Sequence, residues 1–185
     1  RLEADANTLL LLHFDDIVKD EVGNYVFTYS SAPAYAVGKF GDGIQFNSPT
    51  QKLTSDKALA IKSLNEWTID LWLKGITISS NYDSLALDTR SNYKGYTFGL
   101  GNGYAYFSIT DGNTGVNCLA NVNTSTLLNW NHYAIVKIGT TVKLYINGIL
   151  SATQTYQASI FGYGDKLYIG NYFNNYANYS IAIDE

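Results

Sequence analysis

The chemistry open to this chain is bounded by its titratable side chains: one cysteine, two histidines and 16 carboxylates among 185 residues. A thiol nucleophile needs a histidine and a third polar group beside it. Cys118, in Val116-Asn117-Cys118-Leu119-Ala120, reads instead as a small buried hydrophobe. A lone cysteine also excludes an internal disulfide and a multi-cysteine metal site. His132 alternates in phase with Trp130 and Val136, and His13 follows Leu9-Leu10-Leu11-Leu12, so both read as core or half-buried histidines. Neither is flanked by a nucleophile elbow. Glycoside hydrolysis needs two carboxylates facing one groove, about 5 to 9 Å apart. Asp70 has Thr68 and Trp72 as same-face neighbours, and Asp184 and Glu185 are adjacent, so they point to opposite faces of a strand. The expectation is a protein that is not an enzyme.

Recognition is better supplied than catalysis. Sugars are held by aromatic rings stacked on apolar ring faces, with amides and charged groups bonding the hydroxyls. Two segments offer that mixture on expected loops: residues 171–179, with Tyr172, Asn174, Asn175 and Tyr176, and residues 88–94, with Arg90, Asn92 and Tyr93. These seven are the candidate ligand contacts. The net charge of −4, with no basic stripe, argues against nucleic acid and against anionic membrane surfaces. No apolar run approaches the roughly 18 residues of a membrane-spanning helix, so no membrane insertion is expected.

The elements that must position these residues are strands. Trp67, Ile69, Leu71 and Leu73 fall on one face, against Thr68, Asp70 and Lys74, with Trp72 an aromatic exception on the polar side. Residues 130–138 and 142–147 alternate in the same way, which is the period-two signature of half-buried strands. Asn147-Gly148 is a strong hairpin signal, because a type I′ turn needs positive φ at both central residues. Gly139-Thr140 and Gly101-Asn102-Gly103 mark further turns, so an antiparallel meander is expected over residues 95–157. Residues 8–14, 44–46, 85–89, 116–120, 167–171 and 180–184 are further strand candidates, and 56–61 could form one helical turn. With 46% apolar and 15% aromatic residues, one all-β domain can build its core without staples.

The order of several short strings resembles a known family. These are Leu9-Leu10-Leu11-Leu12-His13-Phe14-Asp15-Asp16, Gly38-Lys39-Phe40-Gly41-Asp42-Gly43-Ile44-Gln45-Phe46, the Trp67–Leu73 run, Trp130-Asn131-His132-Tyr133-Ala134, Val142-Lys143-Leu144-Tyr145-Ile146-Asn147-Gly148, Leu167-Tyr168-Ile169-Gly170 and Ile183-Asp184-Glu185. Together they resemble laminin-G-like jelly-roll domains of the concanavalin A-like lectin/glucanase superfamily. The resemblance implies a two-sheet antiparallel β-sandwich over residues 1–185, with 1–7 as linker and the first and last strands adjacent. Family members usually continue past the final acidic motif, so the last strand is expected to be truncated or completed by a following segment. With Arg1 first and no methionine, we expect a piece excised from a longer protein, or a processed form.

The resemblance also implies roles. Glycosidases of this superfamily carry a Glu-x-Asp-x-x-Glu type run, which this chain lacks. Many members hold a structural calcium at the sandwich edge; the matching positions are Asp15, Asp16 and Asp184, with Asp20 and Asn24 on a nearby loop. The expected function is a carbohydrate- or receptor-binding module of an extracellular, cell-surface or virion protein, such as a phage tail or fibre. Its partners would be a glycan or cell-surface receptor and the other domains of its parent. The alternative is a decoration or adhesion spacer domain with no small ligand; a less favoured third reading is a glycoside hydrolase, in which an acid from another strand would meet Asp70.

Overall fold

The computed structural model describes residues 2–48, 50–77, 84–157, 165–170 and 180–185, the side chains of Lys62, Ser84 and Leu85 excepted. Fourteen strands form two antiparallel seven-stranded sheets packed face to face. In chain order they are β1 (Phe27–Tyr29), β2 (Ala34–Val37), β3 (Asp42–Phe46), β4 (Lys52–Ala58), β5 (Glu66–Thr77), β6 (Ser84–Asp88) and β7 (Lys94–Gly101). Then follow β8 (Tyr104–Asp111), β9 (Gly115–Asn121), β10 (Asn131–Ile138), β11 (Thr141–Ile146), β12 (Ile149–Thr155), β13 (Lys166–Gly170) and β14 (Ser180–Asp184). The first sheet runs β1-β4-β13-β6-β7-β8-β9 and the second β12-β11-β10-β5-β14-β3-β2. This is the all-β sandwich that the alternation and turn chemistry predict.

The core lies between the sheets. Trp67, Leu71 and Leu73 of β5 turn inward, as their alternation predicts, and Trp67 packs against Tyr96 and Phe107 at 6.1 and 5.8 Å. Phe98 and Tyr133 meet across the sandwich with ring centroids 5.3 Å apart. Cys118 is buried, and burial pushes its thiol up from the usual value, as befits a small core hydrophobe.

Three expectations are corrected. Among the described residues, 8–14 make no strand, and their only ladder contact is an isolated bridge from Leu12 to Asp20. Phe14 adopts φ 60°, which turns the chain aside. The neighbour of β14 is therefore β3 rather than an N-terminal strand, and β5 lies on its other side. The expected meander over 95–157 divides in two, because a helical turn at Thr124–Leu127 carries the chain from β9 in one sheet to β10 in the other.

The third correction concerns β10, whose inward set is Asn131, Tyr133, Ile135 and Lys137, placing His132 on the outer face. Two polar residues can face inward because their donors are matched. Asn131 Nδ2 donates to the carbonyls of Thr126 and Asn129, and Lys137 Nζ donates to those of Leu64 and Asn65. The one expected helical turn is a 3₁₀ turn at Ala60–Ser63, a few residues later than the sequence suggests.

Candidate binding surfaces

The β6–β7 hairpin carries the described part of the expected ligand set. Asp88, fully buried at the end of β6, accepts from Arg90 Nε at 3.1 and 3.2 Å, from Arg90 Nη2 at 2.8 Å and from the Arg90 amide at 2.7 Å. Burial raises the Asp88 carboxyl and the Arg90 bonds and charge pull it back, leaving it above its ordinary value. Arg90 thus serves as internal counter-ion to Asp88. Beyond it, Ser91 and Lys94 exchange two backbone hydrogen bonds, closing a two-residue turn at Asn92-Tyr93 with φ 50° and 63°. Asn92 is exposed, and 69% of Tyr93 is in solvent.

Tyr172, Asn174, Asn175 and Tyr176 lie outside the described residues. The described strand before them, β13, borders β6. Tyr168 of β13 pairs with Asp88 in antiparallel register. Gly170 therefore ends β13 beside the start of β6, whereas Asp165 bonds Thr89 at the end where Tyr93 emerges.

Of the acidic residues expected near calcium, Asp15 and Asp184 meet at one turn, and Asp20 is held in another. Asp20 accepts four backbone amides, those of Leu11, Val22, Asn24 and Tyr25, at 2.8 to 3.1 Å. Asn24 donates its amide to the Leu9 carbonyl, and Asp16 is exposed. Calcium asks for six to eight oxygens. Among the described residues no three histidine, cysteine or acidic side chains form a metal cluster. Asp20, bonded to four amides, is thus engaged within its own turn.

Asp15 and Asp184 clamp a turn instead. Asp184 Oδ2 accepts the amides of Lys39 and Phe40 at 2.6 and 2.8 Å, and Asp15 Oδ1 accepts that of Asp42 at 3.1 Å. This close approach is why the Gly38-Lys39-Phe40-Gly41 string needs its glycines. A Cβ on Gly38 would stand 2.5 Å from Asp184 Oδ2 and 2.8 Å from the Asp42 carbonyl carbon. One on Gly41, where φ is 93°, would stand 2.6 Å from Asp15 Oδ1. Asp184 is fully buried and its Oδ1 has no hydrogen-bond partner among the described residues. Burial raises its carboxyl above the usual value despite the two amides, and the charges of Glu185 and Asp15 push the same way.

The clamp sets up a surface that the sequence did not single out as a site. On the outer face of the second sheet, Trp72 of β5 lies beside His132 of β10, in register and with ring centroids 5.4 Å apart. His132 Nε2 is 2.8 Å from Asp70 Oδ1. The clamped turn leans over this row. Phe40 presents an edge to Trp72 at 5.6 Å and 85°, and Lys39 Nζ sits 4.5 Å above the indole centroid. Trp72 is half-buried, and Phe40 is 39% exposed. The signal available in the sequence was the aromatic exception on the polar face of β5; its partners lie about 30 and 60 residues away and could not be read off by spacing. A cleft of about 730 Å³ also opens under the N-terminal segment, but its walls, among them Leu9, Ile61, Trp67 and Phe98, are mainly apolar core side chains.

Two seven-stranded antiparallel sheets packed face to face define a jelly-roll β-sandwich. The sequence model described as "Concanavalin A-like lectin/glucanases superfamily", of laminin-G type, matches residues 23–185, and the chain belongs to this family. Among solved structures it is similar to the receptor-binding domain of botulinum neurotoxin C/D mosaic serotype, with TM-score 0.74 and 16% identity over 96% of this chain and 46% of that one. It is likewise similar to the serotype D ligand-binding domain in complex with N-acetylneuraminic acid, with TM-score 0.72 and 17% identity over 95% of this chain and 45% of that one. A crystal structure described as HCR/D-Sa-GBL1/C gives TM-score 0.77 and 16% identity, with 96% and 46% covered. The chain spans less than half the length of these proteins. At such identities the likeness establishes the fold. No curated protein sequence matches the chain.

Proposed function

We propose that the chain is a non-catalytic carbohydrate- or receptor-binding module that works outside the cell, on a cell surface or a virion. The observation that carries this reading is the outer row of Phe40, Trp72 and His132 with Asp70: aromatic surface for an apolar sugar face, rimmed by hydrogen-bonding groups. Asp70 is partnered there by an imidazole rather than by a second carboxylate, which suits recognition better than glycoside cleavage. The similar solved domains support the choice of ligand class. One is described as depending on two ganglioside molecules for cell entry, others as complexes with sialylT, N-acetylneuraminic acid or synaptotagmin II. Those ligands belong to proteins twice this length, so their chemistry, and not their identity, transfers.

A glycan array probed with the chain and with Trp72→Ala tests the reading. Binding to a subset of glycans, weakened about tenfold by loss of the ring, is the expected result. Failure of the intact chain to bind any glycan would favour the spacer role.

A further inference from the structure

The outer face of the second sheet carries a charge imbalance around Trp72. Along β5 the residues Leu71, Leu73 and Gly75 are buried, so Asp70, Trp72 and Lys74 stand on the outer face. Successive positions on one face of a strand lie about 6.5 Å apart. The acid of this set is already matched, since Asp70 Oδ1 meets His132 Nε2 at 2.8 Å. Asp184, the cross-strand partner of Trp72 on β14, is fully buried beneath the turn and gives its Oδ2 to the amides of Lys39 and Phe40. The cations are not matched. Among the described residues neither Lys39 nor Lys74 forms an ion pair. Lys39 is exposed, with its ammonium resting on the indole. Across the sheet from Lys74 stand Ala182 and then Gln45, both uncharged.

We infer that the Trp72 row takes an acidic saccharide, whose carboxylate is met by Lys39 and Lys74 while its ring lies on the indole. The inference rests on the carbohydrate-binding reading above and narrows its ligand class. A cation over an indole at an exposed site is held weakly. A neutral sugar must push the Lys39 ammonium aside and gains nothing from it. A carboxylate instead draws the ammonium off by a charge-assisted hydrogen bond, and the same movement uncovers the ring. Lysine suits this role, because its ammonium is a single charge on a flexible four-carbon stem. His132 and Asp70 remain beside the ring to bond hydroxyls. The net charge of −4 does not oppose an acidic ligand here, since exposed charges are screened beyond about 8 Å at physiological salt.

The test varies the ligand first and the protein second. The probe is an array of sialic- and uronic-acid glycans, each beside its carboxyl-reduced neutral counterpart. The intact chain should bind the acidic member of a selected pair about tenfold more tightly. That preference should shrink between about 0.1 and 1 M salt, as the screening length falls from ~10 to ~3 Å. The double variant Lys39→Gln/Lys74→Gln should erase it. Lys143→Gln should leave it intact, because Lys143 pairs with Val136, four residues along β10 from His132 and so about 13 Å away. Equal binding to the acidic and neutral members would overturn the inference and leave the carbohydrate reading standing. So would a preference that survives the double variant. Should that variant fold poorly, the paired ligands and the salt series on the intact chain decide the matter. Binding to no glycan at all would remove the carbohydrate reading, and this ligand class with it.

Discussion

The Trp72 row and the Tyr93 tip both present aromatic rings to solvent, and they are positioned in opposite ways. Tyr93 is held by its own hairpin, through bonds that span three residues. Trp72 is flanked by Phe40 and Lys39, whose amides are fixed by Asp184, about 145 residues away in the chain. The difference teaches where damage can spread. A change of the Tyr93 side chain should leave the backbone bonds between Ser91 and Lys94 in place, whereas a change in the buried carboxylate should loosen the turn, the aromatic row and the centre of the second sheet together.

The largest effect is therefore expected at the clamp. Asp184→Ala leaves two amides without an acceptor in a closed site, and should cost roughly 2–4 kcal/mol in urea denaturation. Gly38→Ala should cost a similar amount, about 2–4 kcal/mol, because its Cβ meets backbone as well as the carboxylate and the backbone has little room to yield. Both should also change Trp72 fluorescence as Phe40 and Lys39 come away. An undisturbed aromatic row in either variant would break the comparison, for it would mean that the turn holds itself.

A smaller effect separates the charge of Asp184 from its hydrogen bonds. Its carboxyl titrates above the ordinary aspartate value in the folded chain, so the folded state binds the proton more tightly than the unfolded one. Stability from this group is then fully present below about pH 3.9, the unfolded aspartate value, and is lost as pH rises through the raised folded value. Asp184→Asn keeps an acceptor oxygen for Lys39 and Phe40 but cannot take up that proton. The stability of the parent relative to Asp184→Asn should accordingly increase as pH is lowered from 7 towards 4, measured by denaturation at each pH. A difference that stays flat across this range would show that Asp184 is not strained by its charge.

Smaller again is Lys39→Ala. It removes one exposed cation–π contact, worth about 0.5–1 kcal/mol, and leaves the backbone clamp in place. Because the Lys39 ammonium lies over the indole, its loss uncovers Trp72, and binding of neutral sugars should hold or improve. Weaker binding would sharpen the picture differently, by making Lys39 itself a ligand contact.

What could be read from the sequence follows the range of the interactions. The alternation of β5 and the Asn147-Gly148 turn are local, and both were legible. Tyr93 was visible as a residue, though its strain needed the dihedral angles. The inward phase of β10 was hidden because Asn131 and Lys137 bond carbonyls supplied by other segments, which reverses the apparent hydrophobic face. Residues 8–14 look like a strand by composition, but Asp20 draws the Leu11 amide into a turn. Asp184 stood out as an acid on the last strand. That its partners are the amides of Lys39 and Phe40 could be learned only from contacts across the whole chain.

The smallest expected effect is a null one, and it decides what fixes the clamped end. If backbone amides are the true partners of Asp184 and Asp15, the melting temperature should be the same with chelator as with millimolar calcium. A ligand that binds only the folded chain would raise it. The amides of Lys39, Phe40 and Asp42 already neutralise three of the carboxylate lone pairs in that site, and Asp20 is occupied four times over in its own turn. One oxygen argues the other way, since Asp184 Oδ1 is buried without a hydrogen-bond partner among the described residues. A calcium-dependent rise in Tm that disappears in Asp184→Asn would identify that oxygen as a metal ligand, and the Trp72 row would then be ion-anchored where the Tyr93 tip is not.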